Sequence, residues 1–143
     1  MEKIINSSKL DTPEISYNED KNCIFIVGNS FMEHPQPFYK RMSFDIIQII
    51  DEHIQKTKSI LNISFYLEYF NTASSLSILE FLQRIENKFM HTKNVKIYWF
   101  EEGEENDEEI KPEIASIIKL PFVYVQINSD VEDFKQFVKL YLY

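Results

Sequence analysis

Three hydroxyls and an amide crowd into one short run, Asn71-Thr72-Ala73-Ser74-Ser75. Residues of this type at this density can do three kinds of work. A side-chain oxygen can cap a helix, accepting from amides that the first turn leaves unpaired. A hydroxyl can attack a substrate if a base lies within hydrogen-bond reach. A hydroxyl can also carry a phosphate, because amides at a helix start favour anions and a phosphoryl group adds about 1.5 to 2 negative charges. The base for the second option would be a histidine. The chain has three, His34, His53 and His91. Only His34 falls in a loop that the topology below brings towards the run, so the nucleophilic reading pairs Thr72 or Ser74 with His34.

Other chemistry finds less support. No H-x-x-x-H or H-E-x-x-H spacing is present, so no metal site is expected. Two glycines in 143 residues cannot build a phosphate-cradling loop, and no G-x-S-x-G elbow occurs. No cofactor is called for. Cys23 is the only cysteine and stands in an apolar run, which fits a buried strand thiol in a reducing compartment. Seven carboxylates fall between Glu101 and Glu109. They lack the spacing of a calcium loop and read as a solvated segment or a docking surface for a basic partner.

Composition narrows the function classes. A net charge of −8 argues against nucleic acid, whose binding rests on phosphate neutralisation, and against anionic membrane surfaces. No apolar run approaches the roughly 20 residues that span a bilayer, and residues 1–10 carry no secretory h-region. A cytoplasmic protein is expected. At this length one domain can bury roughly 70% of its unfolded surface.

The elements that must position the run follow from periodicity. Residues 1–11 lack a pattern and read as a flexible tail, with Thr12-Pro13 marking its end; residues 12–143 read as a single domain. Glu14–Tyr17 and Cys23–Val27 read as a hairpin, the second strand bounded by Gly28. Apolar positions 38, 42, 46, 49, 50 and 54 give a helix to about Lys56. A strand is expected over about Ser59–Tyr69, a helix over about Ser75–His91, and a strand over Val95–Phe100. A helix over about Asp107–Lys119, a strand over Phe122–Ile127 and a closing helix over Asp130–Leu142 complete the chain. Strands alternating with helices give an α/β fold with a mixed, mostly parallel sheet of about five strands and helices packed on it. Right-handed crossovers then place Gly28–His34, Asn71–Ser75 and Glu101–Asp107 along one sheet edge, where open α/β sheets meet ligands and partners.

Several stretches together resemble the SiaC-type bacterial regulatory phosphoproteins. They are Thr12-Pro13-Glu14-Ile15, Gly28-Asn29-Ser30 with Phe38-Tyr39, Tyr69 through Ser75, and Ile118-Lys119-Leu120-Pro121-Phe122. The resemblance covers about residues 12–127. It implies a STAS-like fold, similar to anti-sigma-factor antagonists, with no enzymatic activity of its own. It implies that Thr72 is the phosphoacceptor, served by a cognate serine/threonine kinase and a metal-dependent phosphatase. It further implies that the unphosphorylated form binds and controls a downstream partner, in some members a diguanylate cyclase. Gly28, Asn29, Ser30, Phe31, His34, Asn71, Thr72, Ser74 and Ser75 are then the expected partner-binding residues. Where the family has S-Y-P-E-N after the glycine, this chain has Ser30-Phe31-Met32-Glu33-His34. Two other readings stand beside the switch: a constitutive interaction module, and a small hydrolase using the same edge.

Overall fold

Apolar alternation along the strands and 3.6-residue periodicity along the helices build one sheet with helices on both faces. The structure is a computed structural model. It describes residues 2–102, 113–127 and 133–142, the side chains of 139–142 excepted. The order is β1 (Glu2–Asn6), β2 (Glu14–Asn18), β3 (Cys23–Ser30), α1 (Gln36–Thr57), β4 (Leu61–Phe70), α2 (Thr72–Phe89), β5 (Val95–Glu102), α3 (Ile114–Ile117), β6 (Phe122–Ile127) and α4 (Phe134–Leu142).

The six strands lie in sequence order, β1 to β6. β1, β2 and β3 pair antiparallel, and β3 to β6 pair parallel. Parallel neighbours need crossovers, which α1 and α2 supply. Because each crossover moves one strand in the same direction, both long helices land on the same face.

Ile24, Ile26, Ile63, Phe65, Ile97 and Trp99 point from the strands to that face and are buried by α1, α2 and α3. Trp99 is stacked on Phe65, with centroids 4.9 Å apart. On the opposite face Cys23, Phe25, Tyr66 and Phe100 meet Phe134 and Val138 of α4. The period-2 alternation of each strand therefore feeds two separate cores.

Some expected boundaries move. Residues 2–6, expected as tail, form strand β1 against β2, with Lys3 opposite Tyr17; short range gave no signal because an exposed edge strand needs only its partner. The strand count is thus six, not about five. β3 continues through Gly28 to Ser30. Gly28 has φ +124° at a register shift against β4, a bulge that an L side chain would strain. α2 starts at Thr72, three residues earlier than periodicity placed it. Of the expected helix over Asp107–Lys119, the described part is the single turn Ile114–Ile117, and Ile118 is already extended. The acidic stretch beyond Glu102 and the expected start of the closing helix at Asp130 lie outside the described residues.

Candidate functional site: the carboxyl edge of the parallel strands

Two loops meet where β3 and β4 end. Ser30 pairs with Phe70 across the strands, and the Asn71 amide donates to the Ser30 carbonyl at 3.1 Å. Asn71, extended at φ −85° and ψ 172°, is the N-cap of α2. Its side-chain oxygen accepts from the Ser74 amide at 2.9 Å. Its side-chain nitrogen donates to the Met32 carbonyl at 3.2 Å. One amide group therefore closes the helix start and ties it to the neighbouring loop, using both its donor and its acceptor.

Beneath the cap runs a buried chain of hydroxyls. Ser30 donates to Ser74 at 2.8 Å and lies 2.7 Å from the Tyr39 hydroxyl. A serine has one hydroxyl proton, so Tyr39 must be the donor to Ser30. The chain links α1, β3 and α2 through three side chains that solvent does not reach. Burial pushes the Tyr39 phenol up to about 12, against the opposing bond to Ser30, so it stays a proton donor at any physiological pH.

Thr72 stands differently. It is the first residue of α2 and is exposed. Leu76, one turn along the same helix face, is 56% exposed, as is Tyr69. The Tyr69 ring meets Phe31 edge-on, with centroids 5.7 Å apart. Thr72 is thus an exposed hydroxyl at a helix start fixed from below, and exposed Tyr69 and Leu76 flank it in sequence.

The expected site residues divide accordingly. Asn29, Phe31, Asn71 and Ser75 are half-buried on the two joined loops, and Gly28 forms the bulge that leads into them. Ser30 and Ser74 are fully buried and hold the joint from beneath. The His34 side chain is 83% exposed and lies 3.9 Å from Glu33.

Neither Thr72 nor Ser74 is hydrogen-bonded to a histidine among the described residues, and Ser74 is sealed against substrate. His53 is buried in the other direction, its Nδ1 2.6 Å from the Tyr17 hydroxyl. Burial pushes the Cys23 thiol up to about 12, far from the low pKa of a reactive thiolate.

The third expected loop begins at the same edge. Glu102 accepts from Tyr66 at 3.0 Å and Glu101 from Tyr124 at 3.0 Å. Burial raises the Glu101 pKa, which the Tyr124 bond opposes. A cavity of about 240 Å³ lies between these carboxylates and residues 66–70. Among the described residues no group of three or more potential ligands is placed to hold a metal ion. The sequential strand order also matters here. An open α/β sheet forms its ligand crevice where strand order reverses, and the described sheet has no reversal.

Two residues at the heart of this arrangement carried no assigned role in the sequence. Tyr39 was visible only as half of Phe38-Tyr39. Glu86 accepts from the amides of Lys119 and Leu120, the latter at 3.2 Å, and so fixes the Ile118-to-Phe122 stretch against α2. A glutamate inside an amphipathic helix gives no local sign of such a partner.

The SiaC family regulatory phosphoprotein model matches residues 5–127. The chain belongs to the SiaC family. Its members are regulatory phosphoproteins, and this chain is a regulator and not an enzyme. No curated protein matches it in sequence. Among solved structures, apo-SiaC from Pseudomonas aeruginosa is similar with a TM-score of 0.61 and 17% identity, over 87% of this chain and 98% of that one. SiaC in the crystal structure of the diguanylate cyclase SiaD with its activator SiaC, from the same organism, gives 0.62 and 18%, over 87% and 99%. At such identity the likeness is one of fold. Among the described residues of this SiaC family member, no helix is long and apolar enough to cross a membrane.

Proposed function

We propose that this SiaC family member is a partner switch whose state is set by reversible phosphorylation of Thr72. A cognate serine/threonine kinase adds the phosphate, a metal-dependent phosphatase removes it, and the unphosphorylated form binds and regulates a downstream protein in the cytoplasm. The SiaC to which it is similar is an activator of a diguanylate cyclase, and a diguanylate cyclase is the partner class we assign here.

The observation that carries this reading is the contrast among the joint's hydroxyls. Ser74 is buried, whereas Thr72 is exposed at the start of α2, as are Tyr69 before it and Leu76 after it in sequence. A kinase can reach Thr72 without unfolding the helix, and first-turn amides accommodate an anion there. The same phosphate would put about 1.5 to 2 negative charges into the middle of an apolar contact, where a desolvated partner cannot tolerate them. Asn29, Phe31, His34, Asn71 and Ser75 surround Thr72 in the binding surface, following the Gly28 bulge. Ser30 and Ser74 act from beneath it.

Mass spectrometry after incubation with the cognate kinase tests the site. One phosphate is expected on Thr72 and none on a Thr72→Ala chain; full modification of that variant would sink the assignment. Thr72→Asp should weaken partner binding at least about tenfold, and wild-type affinity in that variant would remove charge repulsion as the mechanism.

A further inference from the structure

The loop between β1 and β2 is built onto the same carboxyl edge. Gly28, at its bulge, faces the far end of that loop: a Cβ there would stand 3.6 Å from the Pro13 Cα and 3.9 Å from the Ser8 hydroxyl oxygen. The Phe31 amide donates to the Asp11 carbonyl at 3.1 Å. The Lys9 amide donates to the Thr12 carbonyl at 3.1 Å, which leaves Leu10 and Asp11 at the tip of a closed turn. At the base of the loop the Asn6 side-chain nitrogen donates to the Pro13 carbonyl at 2.8 Å and to the Ser7 carbonyl at 3.1 Å, and Thr12 is buried. A segment that local pattern reads as tail is thus fixed at its tip and at its base.

This fixed loop carries Leu10, 84% exposed and the most exposed large apolar side chain among the described residues. A single exposed leucine is ordinary on a protein surface. This one stands on a loop joined to Phe31, and the Phe31 ring meets the exposed Tyr69 edge-on. Segments 7–12, 31–34 and 68–72 therefore converge, and each brings an apolar side chain: Leu10, Phe31 and Tyr69. The same segments carry the carboxylates of Asp11, Glu33 and Glu68 against one ammonium, Lys9. A partner that fits them is apolar where it meets Leu10, Phe31 and Tyr69 and basic around that contact.

Resting on the reading of Thr72 as the switch, we infer that the β1–β2 loop is a third arm of the partner surface and that Leu10 is a residue the regulated partner buries. The loop is already held in place, so little ordering opposes the burial of Leu10 and most of it goes into affinity. The Asn71 cap bonds to Ser74 and Met32 and not to the loop. Leu10 therefore acts on partner affinity while the phosphoacceptor and the helix start that presents it stay as they are.

Isothermal titration of the unphosphorylated full-length chain with a purified diguanylate cyclase from the same organism tests this. Leu10→Ser should raise Kd about ten- to hundredfold. Ile60→Ser truncates an exposed apolar residue at the opposite end of β4 from Tyr69 and should stay within about twofold of wild type. The urea midpoint and the Thr72 phosphorylation of Leu10→Ser should match wild type, because the side chain is exposed. If Leu10→Ser binds within about twofold of wild type while Thr72→Asp does not, the loop is no part of the surface, and the inference fails with the switch intact. Equal weakening by Leu10→Ser and Ile60→Ser would mean that the effect is not the loop's, and the inference fails there too. Loss of phosphorylation with partner binding kept would assign the loop to the kinase and overturn it as well. No binding by the wild-type chain would instead overturn the partner class of the switch reading, and the surface inferred from it.

Discussion

Asn71 and Thr72 are neighbours with different work, and their substitutions separate it. Asn71 supplies the cap and the bond to the Met32 carbonyl, so Asn71→Ala should cost about 1 to 2 kcal/mol in urea unfolding. Thr72 makes no cap, and Thr72→Ala should stay within about 0.5 kcal/mol of wild type. A loss of regulation in Thr72→Ala would then be chemical and not structural. Ser30 sits in the middle of its hydroxyl chain, so Ser30→Ala leaves buried Tyr39 and Ser74 each short of a partner and should cost about 1 to 3 kcal/mol. His53 gives the molecule a pH dependence. Burial lowers its pKa below the usual 6.5, with Glu19 opposing, and its Nε2 has no hydrogen-bond partner among the described residues. The unfolded chain therefore binds a proton that the folded chain refuses. The contribution is full well above the unfolded-state value of about 6.5 and is lost as pH falls through it towards the lower folded-state value. Urea midpoints should drop between about pH 7.5 and pH 5.5, and His53→Phe should flatten that drop.

At the scale of elements, α2 carries both ends of the argument. Its first residue is the proposed phosphoacceptor, and its fourth turn holds Glu86, whose carboxylate ties down Lys119 and Leu120. Charge-assisted bonds to buried amides are among the strong ones. Glu86→Ala should cost about 2 to 4 kcal/mol in urea unfolding, yet leave phosphorylation of the folded fraction intact, since the cap at Asn71 does not involve it. Phosphate incorporation per folded molecule, with the folded fraction taken from circular dichroism, checks this. The helix also shows how far periodicity can be read. Its buried stripe, Ile78, Leu82, Ile85 and Phe89, follows the periodicity, because burial repeats with the helix turn. The start was misjudged by three residues, because exposed Thr72, Ala73 and Ser75 carry no stripe and only the position of Asn71 against Met32 selects the cap.

The whole molecule is a sheet whose described strands run in sequence order, without the reversal at which open α/β sheets form a ligand crevice. Its acidic character gives a measurable consequence. With net charge −8, association with a basic-faced partner should be fast at low salt, and its on-rate should fall several-fold between about 50 and 500 mM salt, as stopped-flow mixing would show. The topology that joins Ser30 to Phe70 was legible, because alternating strands and helices leave few arrangements open. β1 was not legible: its pattern is mostly exposed, and its place is decided by β2 and by the reach of Lys135 to Glu2 from the far end of the chain.

Local pattern, then, determined the α/β class, the parallel strands, the joint after β4 and the run of hydroxyls that makes it chemically notable, because each depends on residues a few positions apart. Which of those hydroxyls is buried and which is exposed was decided only by the tertiary structure. Ser74 faces Ser30, 44 residues away, and Thr72 faces water; no spacing within Asn71–Ser75 contains that difference, since it is set by what packs against each side chain. The same holds for the opposite face of the sheet. Phe134, Lys135 and Val138 spell an amphipathic helix in sequence, but that it lies on Phe25, Tyr66 and Phe100 with its lysine between Glu2 and Glu14 is a fact of long-range packing.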